Sequence, residues 1–463
     1  MQQTPKPERP NVILILTDDQ GYGDLSRHGN PILKTPHMDR LYDESVRFSD
    51  FCVSPTCAPT RCALMSGMHE FKSGVTHTIL GRERMSLETT TVAEVLKAAG
   101  YTTGQFGKWH LGDVGPHRPE KRGFQYSLTT VGDTQNSHFD PVLLRNGVQE
   151  NQKGYRTDIF FNEALAFIES NKERPFFCYL PTYSPHGPLK APKEYLDRYK
   201  DKATDKEVPF FAMLSNIDDN VGRLLAQLEE WELDQKTLII FMNDNGGTHG
   251  VDVWNVGMRG CKATSWFGGT RAISFWRWPG FLEPKTVDRL TAHVDILPTL
   301  AELAGVELDG VHQEKLDGSS LVPLLTSSST TWPDRTLFFH MGRWPTGTAT
   351  AHKHALCAAR WRQFQLVRSE TCRDTQCEGE CRIFRRTMEG EQNIAYSARN
   401  GQFHYAVTSA GQWALYDVSA DPSQETDLAG ENPQIVGKMA EAYDSWWDTV
   451  LPEIDSPEQT VRQ

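Results

Sequence analysis

The sequence lacks any apolar run approaching the roughly 18 to 20 residues of a membrane-spanning helix. Its longest, NVILIL at residues 11–16, is the length of a buried strand. Positive charge is also in short supply: 48 lysines and arginines stand against 60 aspartates and glutamates, a formal net charge of −12. A general nucleic-acid binder needs a basic face to neutralise phosphates, so that class is excluded, while a local cationic pocket for an anion is not. Internal repeats and low-complexity tracts are missing. Cysteines are few, nine in all, and an odd number leaves at least one unpaired if the others form disulfides. Cys57 is the expected odd one. The group Cys372, Cys377 and Cys381 in TCRDTQCEGEC matches no zinc spacing and reads as disulfide or free thiols. The opening MQQTPKPERP is polar and has no apolar centre of a signal peptide, leaving a cytosolic protein or one whose export segment has been removed.

What is present has the balance of an ordinary globular protein, with 38% hydrophobic and 23% charged residues in a chain long enough for two or three domains. From Asn11 to about Leu325, short apolar runs alternate with helical patterns, as in a βαβ architecture. NVILILTDD, YTTGQFGKWH, RPFFCYLPTYSPHGP and TLIIFMNDNGG read as strands, the first and last as strands covered on both faces. TTTVAEVLKAAG, RTDIFFNEALAFIESN, MLSNIDDNVGRLLAQLEEW and HVDILPTLAELAG read as helices, the last capped by Gly305. After TSSSTT at 326–331 the texture shifts to the β-like pieces ALCAARWRQFQLV, FHYAVTS and QWALYDV, then a helix from Pro433 to about Val450. The expected organisation is therefore a large α/β domain over 10–330 and a smaller α+β subdomain over 331–455.

Ligands of open α/β sheets bind beyond the carboxyl ends of the strands, and the chemistry of this chain gathers there. Asp18 and Asp19 close the first strand; Asp244 and Asn245 close the one from Thr237. Any one Asp at a strand end more often caps a turn. Three carboxylates and an amide together, without Cys or His, form an all-oxygen site for a hard divalent cation, Ca²⁺ or Mg²⁺. Lys108 and His110 follow in GKWH, His186 follows in YSPHGP, and Lys262 lies in RGCKATSWFGGTR. Beside a cation and Arg61 these groups are equipped to hold a tetrahedral oxyanion and move protons. In SPTCAPTRCALMSG, Pro59 suits a first helical position, which places Cys57 at a helix N-terminus, where the dipole and unbonded N–H groups favour an anion and activate a thiol. The competing reading is a small buried Cys.

CAPTRCALMSG resembles the sulfatase signature Cys-x-Pro-x-Arg, and GYTTGQFGKWH is similar to that family's second signature. PNVILILTDDQGYGDLS, SPHGP, NDNGG and LYDVSADPSQETDLA also match in order, from about Pro10 to Val450. The resemblance implies an alkaline phosphatase-like fold with a large, mixed, mostly parallel central sheet flanked by helices. It implies that a sulfatase-maturing enzyme oxidises Cys57 to formylglycine, whose hydrate attacks sulfur. It assigns the metal to Asp18, Asp19, Asp244 and Asn245 with residue 57 beside them, orientation and charge balance to Arg61 and Lys108, leaving-group protonation to His186 or Lys262, and proton acceptance to His110. It further implies a sulfated saccharide or small-molecule sulfate as substrate, and a periplasmic or secreted location. Two departures stand out: Ser66 where threonine is frequent, and Phe267 in WFGG where glutamate is frequent, which puts the surroundings of Lys262 in doubt.

The same scaffold also serves phosphodiester and phosphonate monoester hydrolases, so fold and nucleophile alone do not fix the ester. A catalytically silent binding protein is the third reading, weakened because all matched positions are kept. Specificity is expected in the loops at 131–140, 248–260 and 340–354, with Trp254, Trp344 and His138 either facing a sugar ring or packing those loops.

Overall fold

The computed structural model describes residues 9–79, 81–130, 137–308, 310–327, 331–342, 349–354, 356–368, 397–399, 402–404 and 412–454. Its organising element is the strand Asn11–Thr17, buried along its whole length. β-branched and aliphatic side chains suit a pleated surface covered on both sides. Val12, Leu14 and Leu16 join one hydrophobic cluster with Leu238, Ile240, Met242 and Trp276. Ile13 and Ile15 point to the other face and join Ile239, Phe241, Leu214 and Leu224. This twofold alternation divides the core into two layers, each buried aliphatic side chain stabilising the fold by roughly 1.5–3 kcal/mol relative to exposure. Helices Cys57–Ser66, Val92–Ala98 and Ile296–Leu303 cover the first face, and helices Arg156–Asn171 and Glu207–Glu230 the second.

The sheet has ten strands, in the order Lys285–Val287, Val46–Phe48, Ser274–Arg277, Thr237–Asn243, Asn11–Thr17, Phe176–Pro181, Thr102–Gly107, Tyr126–Thr130, Val142–Arg145, Val148–Asn151. The five central strands, from Thr237–Asn243 to Tyr126–Thr130, are all parallel. Antiparallel pairings lie outside them, and the outermost pair on one edge is parallel again. The expected mixed sheet is present, with its parallel character concentrated at the centre. All four strands read from the sequence are found, as are the four helices, with Thr91 and Glu94 forming a capping box and Gly305 left-handed at φ 70°.

The smaller subdomain is an antiparallel sheet in the order Thr336–His340, Cys357–Trp361, Phe364–Arg368, Ala414–Asp417. ALCAARWRQFQLV is thus a hairpin of two strands. FHYAVTS contributes a strand only at Gln402–His404, its later residues lying outside the described ones. The final helix runs Pro433–Ile454, one turn beyond the expected end, because Ile454 is buried beside Val450 and Trp447. One hydrophobic cluster joins Cys52, Ala63, Trp266 and Phe267 to Phe339, Ala358, Val367 and Tyr416, so the subdomain shares core with the larger domain.

The six described cysteines, Cys52, Cys57, Cys62, Cys178, Cys261 and Cys357, are all buried free thiols. Cys57 is therefore one of several unpaired, where the sequence singled it out as the odd one. Cys372, Cys377 and Cys381 lie outside the described residues. No described helix is long and apolar enough to cross a membrane.

Candidate active site

Register builds the site. In the parallel pair at the sheet centre Thr17 lies level with Asn243, so Asp18 and Asp244 leave the sheet side by side. The Asp244 amide donates to the Thr17 carbonyl at 3.1 Å, and the Asp19 amide donates to Asp244 Oδ1 at 3.1 Å. Asp19 is held at φ 72°, a left-handed backbone that costs a non-glycine residue of order 1 kcal/mol and persists where the surroundings enforce it. Asn245 donates from Nδ2 to Asp19 Oδ1 at 3.0 Å. Both strand ends thereby converge on one point.

The chain passes through extended Thr56 into the helix Cys57–Ser66. Pro59 is its third residue, not its first; its missing N–H is still one of those a helix start leaves unbonded. One turn after Cys57, the fully buried Arg61 donates from Nη2 to Asp244 Oδ2 at 2.8 Å, lies 3.6 Å from Asp18 Oδ2, and donates from Nη1 to the Lys108 carbonyl at 2.9 Å.

The Thr102–Gly107 strand ends on Gly107, at φ 141°, where a Cβ would sit 1.8 Å from the Pro181 carbonyl oxygen. Only glycine allows that approach, and it delivers Lys108, whose Nζ donates to Asp18 Oδ2 at 2.8 Å. His110 sits at φ 61° with Nε2 2.6 Å from the Thr78 carbonyl. A carbonyl only accepts, so Nε2 carries the hydrogen and Nδ1 is the basic nitrogen. By the same logic His186, whose Nδ1 lies 2.8 Å from the Gly187 carbonyl, turns Nε2 toward Asp19 Oδ2, 3.9 Å away. Lys262 Nζ lies 2.6 Å and 2.8 Å from the two Asp19 oxygens.

Three carboxylates thus face three cations in a buried pocket. Burial opposes ionisation of Asp18 and Asp19, but Lys108 for the first and Lys262 for the second, with His186 beside both, outweigh it and hold these carboxyls below the usual range. Asp244 goes the other way, pushed up to about 6 by burial and by repulsion from Asp18 against the pull of Arg61. Burial lowers His186, with Asp19 resisting. Lys262 is raised despite its burial, chiefly by Asp19 and then Cys57.

The donor set fits a hard divalent cation. Asp18 Oδ1 and Asn245 Oδ1 are buried with no hydrogen-bond partner, a costly state that coordination would relieve. Ligand atoms of Asp18, Asp19, Cys57 and His186 all lie within 4.8 Å of one another.

Asp18, Asp19, Cys57, Arg61, Lys108, His186, Asp244, Asn245 and Lys262 therefore enter one constellation, while His110 is tied to Thr78. The specificity candidates fare differently. His138 is fully buried and packs against Arg156 and Tyr155; it does not face a sugar. Trp254 is 37% exposed, anchored by its indole N–H to the His28 carbonyl at 2.7 Å. Trp344 lies outside the described residues. Phe267 keeps a cationic neighbourhood without a carboxylate: the guanidiniums of Arg271 and Arg360 lie 5.0 Å and 5.3 Å from its ring centre. Its amide donates to buried Gln424 of the small subdomain at 2.8 Å. Sequence reasoning missed Thr78, which orients His110, and Tyr183, whose ring lies beside His186. The only signal for Tyr183 was its place in YSPHGP.

The Sulfatase family model matches residues 10–306. Human arylsulfatase A is 30% identical over 472 residues, covering 92% of this chain and 85% of that protein. Pig N-acetylgalactosamine-6-sulfatase is 29% identical, covering 73% and 69%. The crystal structure of Ps i-CgsB in complex with k-i-k-neocarrahexaose superposes with a TM-score of 0.79 at 25% identity, covering 97% of this chain and 94% of that one.

Proposed function

The chain belongs to the sulfatase family and is a sulfuric ester hydrolase; from that premise we propose that it desulfates a saccharide, using formylglycine made from Cys57 and a divalent cation. The observation that carries this reading is the meeting of Cys57 with Asp18, Asp19 and His186 inside one 4.8 Å cluster. The substrate class is supported by the names of the relatives, an N-acetylgalactosamine-6-sulfatase and a structure holding a neocarrahexaose.

Asp18, Asp19, Asp244 and Asn245 would hold calcium or magnesium, which supplies Lewis-acid charge for the sulfate oxygens. Formylglycine at position 57, made by a maturing enzyme that reads CAPTR, supplies a hydroxyl nucleophile once hydrated. The protein's own groups do the rest. The helix N-terminus directs unbonded amides and its positive end at the anion. Arg61 and Lys108, tied to Asp244 and Asp18, orient the side chain at 57 and add positive charge. His186, with Nδ1 spent on Gly187, protonates the departing sugar oxygen from Nε2 as the imidazolium, the form that Asp19 beside Nε2 favours against burial, and Lys262 stands beside Asp19 as the alternative donor. His110, with Nε2 spent on Thr78, accepts at Nδ1 the proton that must leave before sulfate is expelled. We assign this chemistry to residues 10–330 and a supporting role to 331–455.

Hydrolysis of sulfated saccharides and an aryl sulfate, read as sulfate by ion chromatography, and of an aryl phosphodiester, read as released phenol, tests the reading. The saccharides should be turned over fastest. Phosphodiester hydrolysis without sulfate release would overturn it. Mass analysis of the peptide carrying residue 57 should show the exchange of H₂S for O.

A further inference from the structure

Tyr183 belongs to neither the metal set nor the proton-transfer set, yet its ring lies beside Lys108, which holds Asp18, and beside His186. It is 4% exposed. The Lys108 ammonium lies 5.1 Å from its ring centre, and the Arg156 guanidinium 3.9 Å from it. The His186 ring meets it at 5.3 Å with the planes inclined by 75°. From this geometry we infer that Tyr183 is a positioning residue, its ring fixing where Lys108 and His186 stand, with Arg156 bracing the ring. The inference rests on the roles proposed above for those two side chains.

Lys108 carries its charge on a flexible four-carbon stem. Its hydrogen bond to Asp18 limits its distance but not its direction, and an aromatic face within cation–π range adds a directional restraint. His186 lies in a loop. Its bond to the Gly187 carbonyl fixes one edge of the imidazole, and the inclined contact with Tyr183 fixes the plane, which sets where Nε2 points.

Arg156 shows that the ring is more than filler. It is 1% exposed and opens the helix Arg156–Asn171, where the macrodipole disfavours a cation. Burial lowers its guanidinium to about 10, and the ring face of Tyr183, 3.9 Å away, is where this poorly solvated cation finds electron density. Its backbone N–H donates to the His138 carbonyl at 2.7 Å and its Nη2 lies 3.3 Å from the His138 ring nitrogens. A buried guanidinium in this unfavourable place clamps the ring from the side of the second helical layer. Misplacing a reacting group by about 1 Å costs up to about 100-fold in rate, so the clamp has a kinetic consequence.

The test uses the full chain, matured and supplied with calcium, and compares Tyr183→Phe, Tyr183→Leu and Arg156→Met. Tyr183→Leu, assayed well below its melting transition, should lower kcat about tenfold or more while KM changes less than about threefold, with the calorimetric calcium titration of the wild type retained. Tyr183→Phe, which keeps the ring, should recover most of kcat. Arg156→Met should reduce kcat in the same direction, and adding it to Tyr183→Leu should cost little more, since both act through one ring. Wild-type kcat in Tyr183→Leu, an equal loss in Tyr183→Phe, or a loss confined to KM would overturn the inference. Lys108→Ala and His186→Ala run alongside: undiminished kcat there would sink the assigned roles and this inference with them. Loss there without loss in Tyr183→Leu would sink the inference alone.

Discussion

Cys57 is 2% exposed at the first residue of its helix, among three carboxylates and three cations. Replacing its sulfur by oxygen changes little volume, so Cys57→Ser should fold and respond to calcium like the wild type. A serine hydroxyl is not the aldehyde hydrate proposed here, and kcat for sulfate release should fall about a thousandfold or more, as for other nucleophile deletions. Wild-type rates would refute the assignment. The residues whose convergence was legible in the sequence were those whose chemistry announces itself: Asp18, Asp19, Arg61, Lys108, His186, Asp244, Asn245 and Lys262. Thr78 acts through a backbone carbonyl and Tyr183 through a ring face, and neither role is written in residue type. For His138 the packing reading holds: imidazole suits a sugar contact, but burial beside Arg156 turns this one inward and lowers it to about 3.

Gly107 shows what strand ends demand. Alanine there would push a methyl carbon to 1.8 Å from the Pro181 carbonyl and strain a φ of 141°. The two strands stay in contact at their ends, the Lys108 amide donating to the Pro181 carbonyl at 2.8 Å, just where one delivers Lys108 and the other leads to His186. Gly107→Ala should lower stability by about 2–4 kcal/mol in a urea titration and depress kcat together with it; a variant of unchanged stability and rate would contradict the close approach. Strand and helix identities were readable because their hydrophobic periods are strong, as the division of Asn11–Thr17 between two clusters shows. Details set by tertiary packing were not: buried Ile454 prolongs the last helix, and the helix at Cys57 begins two residues before Pro59.

Over the whole molecule, buried acids and buried histidines tilt stability in opposite directions. Burial raises Asp24, Glu70 and Asp218 to about 7, so the folded state keeps protons that the unfolded chain releases from about pH 4 upward, and stability falls as pH rises through 7. Burial lowers His28 to about 4 and His293 to about 3. Protonation of the unfolded chain below about pH 6.5 therefore costs stability as pH falls. At fixed calcium, the melting temperature should peak between about pH 4 and 6.5. Glu70→Gln should gain on the wild type between pH 5 and pH 8, by on the order of 3 kcal/mol; a gap that narrows instead would show that Glu70 ionises freely. The level pairing of Thr17 with Asn243 has a final consequence, for how such a chain tolerates change. Adding or deleting a single residue inside either strand turns every later side chain to the opposite side, so Asp18 or Asp244 would swing out of the pocket while the sheet survived. Lengthening the segments at the rim does neither. New substrates can thus be accommodated by insertions around the mouth, and insertions in the two central strands are closed to selection.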